Sequence, residues 1–107
     1  MKNVIKSLLI IFLLALTSCT NIEKAEALYN KGDKEAALNM AISLLDKDDS
    51  GVRLRAVRLI GKVGGEKAGS ALRMKIRDSD SKVQKEVVKH LGKLRYEPAM
   101  EDLVDLV

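Results

Sequence analysis

Laid against itself with a shift of 31 residues, the chain matches identically at nine of the 31 positions in 46–76 against 77–107. The pairs are Asp49/Asp80, Ser50/Ser81, Val52/Val83, Val57/Val88, Gly61/Gly92, Lys62/Lys93, Glu66/Glu97, Ala68/Ala99 and Leu72/Leu103. Composition alone would give about two identities. Ile60/Leu91, Val63/Leu94 and Ile76/Val107 also keep their apolar character. A fixed period of this length marks a stacked-repeat architecture, in which each unit buries its apolar face only against its neighbours.

Each unit reads as two helices. In the second, Val83, Val87, Leu91 and Leu94 recur at helical spacing, and Lys82, Lys85, Lys89 and Lys93 form the opposite stripe. Asp49 and Asp80 stand where an N-cap carboxylate accepts the free N–H groups of a first turn. Gly61 and Gly92 are expected near the helix ends, as left-handed residues that close the turn. Pro98 suits the first turn of the next helix, whose inner face would be Ala99, Leu103, Leu106 and Val107. Upstream, Ile22–Asn30 and Lys34–Leu45 form another pair around Lys31-Gly32-Asp33. Its second helix keeps the period, with Ala37, Ala41 and Leu45 lying 31 residues before Ala68, Leu72 and Ile76. Its first does not. The expectation is an all-α fold: a short α-solenoid of about three antiparallel helical hairpins, at about 22–45, 50–77 and 81–107.

Asp49-Ser50-Gly51-Val52-Arg53 running to Leu59-Ile60-Gly61, and Asp80-Ser81-Lys82-Val83-Gln84 running to Leu91-Gly92, resemble HEAT repeats in their short PBS-lyase-like form. The resemblance covers about residues 46–107. It implies a helical solenoid that binds other macromolecules on its stacked surface. The second unit departs from the pattern by placing Gln84 where Arg53 stands, which removes the arginine of the family's usual Asp–Arg cross-link. Leu28-Tyr29, Gly32-Asp33 and Ala36 are partly similar to a tetratricopeptide hairpin.

The first residues read as an address. Lys2 and Lys6 precede the unbroken apolar run Leu8–Leu16. Nine helical residues span about 14 Å, too short for a bilayer core of about 30 Å. A basic start, a short apolar core and small residues before a cleavage point make residues 1–18 a secretory signal peptide. Leu16-Thr17-Ser18-Cys19 resembles the bacterial lipobox. That implies cleavage before Cys19, diacylglycerol on its sulfur and palmitate-type acylation of the new amine, with residues 19–21 a lipidated tether to a domain at 22–107. The expected location is the extracytoplasmic side of a bacterial cell membrane or outer membrane. Thr20 in place of Asp after the Cys resembles outer-membrane sorting.

With 107 residues, one Cys, one His and no Trp, the chain is too short for a Rossmann enzyme and lacks both a disulfide framework and a Cys-based zinc site. His90 with Glu86 four residues before it is not a metal-ligand set, and Ser70, Ser79 and Ser81 have no local His to activate them. Asp48-Asp49 and Asp78/Asp80 lack the spacing of a calcium loop and read as caps. Gly61, Gly64 and Gly65 follow no strand and read as turn punctuation between helices. No cofactor, metal or catalytic residue is assigned, and the expected role is a non-catalytic protein-interaction scaffold or adaptor. The alternative is an accessory enzyme subunit, or a PBS-lyase-like protein whose catalytic residues lie elsewhere.

Charge divides the chain. Residues 19–49 carry 4 basic and 7 acidic groups, 50–95 carry 13 and 4, and 96–107 carry none and 4. Such a basic centre is compatible with nucleic acid, but an exported chain without an aromatic cluster to stack on bases argues against it. Lys82, Lys85, Lys89 and Lys93 are therefore the candidate face for the membrane or an acidic partner. Met100, Val104 and Leu106 align with Gly69, Arg73 and Lys75. If those three face water, the last helix offers an apolar docking end for a partner or a second copy.

Overall fold

The computed structural model describes residues 21–95 together with Pro98 and Val104. Among them are five α-helices: α1 (Asn21–Asn30), α2 (Lys34–Ser43), α3 (Ser50–Val63), α4 (Gly65–Arg73) and α5 (Ser81–Leu94). None of these helices is long and apolar enough to cross a membrane. The expected signal peptide, Cys19 and most of the helix expected after Pro98 lie outside the described residues.

The start of each repeat is set by its aspartate. Asp49 accepts the Gly51 N–H at 2.8 Å, and Asp80 accepts those of Lys82 and Val83 at 2.8 and 3.1 Å. Asp33 caps α2 in the same way through Ala36. Each carboxylate satisfies first-turn donors that have no partner within the helix.

The helix ends differ from expectation. Gly61 and Gly92 lie inside α3 and α5, and neither is left-handed. The reversal between α3 and α4 falls on Gly64 and Gly65, at φ 72° and 87°, where a side chain would be strained. Arg95, at φ 50°, closes α5 with its N–H on the Gly92 carbonyl. The helix expected to reach Leu45 ends at Ser43, and Leu44 and Leu45 turn back into the core as buried residues.

The helices lie in two layers. α1, α3 and α5 run side by side, while α2 packs on α1 and α3, and α4 on α3 and α5. The stripe expected for α5 forms its buried side, with Val83, Val87 and Leu91 fully enclosed. The same registers of α3 supply half-buried Val52 and buried Ala56 and Ile60, with Val57 buried beside them, and α2 and α4 add Leu38, Ala41, Ala68 and Leu72. Among the described residues every buried apolar side chain is aliphatic, which suits close helix–helix contact.

Candidate functional site

The surface of the α1–α3–α5 layer is built from positions that repeat. Where two of its helices meet, an ion pair crosses between them, but its polarity alternates. Glu26 of α1 accepts from Arg55 of α3, whereas Arg58 of α3 stands 3.5 Å from Glu86 of α5. Arg55 and Glu86 are repeat equivalents, so the same position carries opposite charge in successive helices. Sequence comparison could not reach the first pair because α1 does not keep the 31-residue register.

Glu86 also contacts His90 at 3.1 Å, one turn further along α5. The imidazole is largely enclosed, its side chain only 12 % exposed. It lies over the backbone of α3, where a Cβ placed on Gly61 would come within 2.2 Å of Nδ1. Gly61 is therefore the notch that receives the next helix. Burial holds the His90 pKa below its usual value, and the nearby Lys93 and Lys89 charges act in the same direction. The charge and hydrogen bond of Glu86 oppose them.

A second junction lies on the loops that precede α3 and α5. The Arg53 guanidinium donates two hydrogen bonds to the Asp78 carboxylate, both at 3.1 Å, and two more to the carbonyls of Lys47 and Asp48. One fork thus ties both loops together, which a lysine could not do. Its hydrogen bond to Asp78 raises the already high Arg53 pKa. Burial pushes the Asp78 carboxyl up, but hydrogen bonds from Arg53 and the Asp80 N–H, with the Arg53 and Lys75 charges, leave it below the usual value. Lys75 pairs with Asp46 at 2.8 Å beside it. Asp78 and Asp46 are thus each engaged by a cation. Among the described residues no group of three or more His, Cys, Asp or Glu could hold a metal.

Residues 38–107 match the family of HEAT repeats. The chain belongs to the HEAT-repeat family. HEAT repeats generally mediate protein–protein interaction and typically serve as non-catalytic scaffolds. No curated protein and no solved structure matches the chain.

The HEAT-repeat surface gives the sequence-derived candidates their places. Lys82, Lys85, Lys89 and Lys93 all lie exposed along α5, with no ion pair among the described residues. Arg58 and Lys62, equivalent to Lys89 and Lys93, continue this basic crown onto α3. The 31-residue step could have found them. With Arg55, Glu26 and Tyr29 they line a groove of ≈ 600 Å³ between α1 and α3. At the other candidate end, Val104 is 70 % exposed, while Met100 and Leu106 lie outside the described residues. The comparison that singled them out holds only for Arg73. Gly69 is buried in α4, and Lys75 is half-buried against Asp46.

Proposed function

We propose that the protein is a lipid-anchored HEAT-repeat adaptor that presents a basic helical crown to acidic protein partners on the extracytoplasmic side of a bacterial membrane. The observation that carries this reading is the row of exposed lysines on α5, without an ion pair among the described residues, continued on α3 by Lys62 and by Arg58, which also faces Glu86. Long cations with no internal partner contribute little to folding but steer an acidic partner and orient it.

The lipobox supports the anchor. Because α1 already begins at Asn21, the two peptide steps from Cys19 span no more than about 8 Å. An acylated Cys19 therefore holds the domain close to the headgroups, where each lysine contributes about 1 kcal/mol against acidic lipid. Two or three acyl chains give stable attachment where one does not.

Two linked measurements test the reading. Labelled palmitate should enter the full chain and disappear in Cys19→Ala. In the wild-type background, reversing Lys82, Lys85, Lys89 and Lys93 to Glu should abolish co-purification of crosslinked partners while leaving the label in place. Label retained by Cys19→Ala overturns the anchor, and unchanged partner recovery overturns the crown.

A further inference from the structure

The way α5 sits on α3 provides a template for what its own outer edge can receive. Three α3 residues make the seat: Val57 is fully buried, Gly61 yields its Cβ space to His90, and Arg58 faces Glu86. Thirty-one residues on, α5 repeats the seat as Val88, Gly92 and Lys89. There it is uncovered among the described residues. Val88 is half-buried, Lys89 is exposed and unpaired, and nothing lies within 4 Å of a Cβ built at Gly92.

One change within the seat gives the occupant's chemistry. The position of half-buried Leu54 on α3 is Lys85 on α5. The outer edge therefore keeps the glycine notch and the valine but carries two exposed cations, Lys85 and Lys89, one turn apart. We propose that this edge docks an acidic α-helix of a partner protein. The incoming helix places carboxylates against Lys85 and Lys89 and a bulky side chain over Gly92, as α5 places Glu86 and His90 on α3. This rests on the adaptor reading and gives the crown's partner a shape as well as a charge.

A second copy fits less well. Glu26 marks the side of α1 that faces α3, and Lys24 lies about 200° around the same helix. The free edge of α1 would thus bring a lysine against Lys85 and Lys89. Residues 96–107, with four acids and no base, are the competing occupant within the chain.

The probe is a labelled peptide of the α5 sequence, Ser81 to Leu94, with its four lysines replaced by Glu. It retains Val83, Val87, Leu91, Glu86 and His90 and is strongly acidic. Fluorescence anisotropy with the full chain in mild detergent should give a Kd of about 1–100 µM, the range of a small single-helix interface. Gly92→Leu fills the notch at an exposed helical site and leaves the fold intact. It and Lys89→Glu should each weaken binding about tenfold or more, with Lys34→Glu on α2 as the unaffected control. Equal affinity for Gly92→Leu, or no binding at all, overturns the proposal, and the adaptor reading stands if partner crosslinks persist elsewhere on the crown. Tighter binding after neutralising Glu97, Glu101, Asp102 and Asp105 assigns the edge to the chain's own segment instead. A concentration-dependent dimer abolished by Gly92→Leu assigns it to a second copy. Either result overturns the partner assignment.

Discussion

Replacing Gly61 and, separately, Gly92 by alanine should change stability in opposite directions, although the two occupy the same place in successive repeats. Both lie within helices, where alanine is favoured over glycine by about 1 kcal/mol. At Gly92 a Cβ meets nothing within 4 Å, so Gly92→Ala should gain the whole of that, about 4–8 °C in Tm for a domain of this size. At Gly61 the new methyl would stand 2.2 Å from His90 Nδ1, 2.4 Å from Cγ and 2.6 Å from Cε1. The imidazole must leave its place, losing the Glu86 contact at about 1 kcal/mol and repacking the α3–α5 seam at about 1–3 kcal/mol. Set against the helix gain, Gly61→Ala should be destabilised by about 1–3 kcal/mol, and the two variants should differ by about 2–4 kcal/mol. Urea unfolding followed by circular dichroism reads both directly. His90→Ala empties the space, so Gly61→Ala made in that background should become stabilising. If Gly61→Ala stabilises as much as Gly92→Ala, or keeps its cost without the ring, His90 does not seat α5 on α3.

Other expectations follow from the same contacts. Asp78→Ala leaves the Arg53 fork half-satisfied and should lower the chemical-denaturation midpoint, which stays unmoved if the clamp is idle. Asp80→Ala, which loses two first-turn acceptor bonds, should cost about 1 kcal/mol. Because folding depresses the His90 pKa, stability is complete above the free-histidine value of 6.5 and falls as pH drops below it. His90→Gln should flatten that fall, and an unchanged slope would contradict it. A further loss belongs to Asp78, whose lowered pKa stabilises the fold above 3.8 and is spent as pH falls below that value. Reversing the four α5 lysines should leave Tm nearly unchanged, since all four are exposed, while weakening retention of the full chain on acidic vesicles relative to neutral ones.

The parts of this molecule that depend on near neighbours were legible in its sequence. Asp49 and Asp80 cap their helices because a cap needs only the two or three residues that follow. The Val83–Val87–Leu91 stripe is buried because helical spacing decides which side it shares. Gly61 was misread for the opposite reason. A glycine that ends a helix and one that admits another helix look the same until the facing residue is known. The partner of Arg53 lies 25 residues away, in a loop whose position depends on stacking, so no local pattern announces it. Glu26 and Arg55 meet through a helix outside the repeat register. The lysine spacing on α5 showed the stripe of the basic crown and the 31-residue step carries it to Arg58 and Lys62, while their adjacency needed the two helices placed side by side.

Lysine-directed crosslinking in the native membrane, with the sites mapped by mass spectrometry, tests the adaptor account most directly. Inter-protein crosslinks should concentrate on Lys62, Lys82, Lys85, Lys89 and Lys93 and join them to helical, acid-rich segments of other proteins. Crosslinks confined to Lys34 and Lys67 on the opposite layer, with the crown lysines modified only by solvent-quenched reagent, would contradict it.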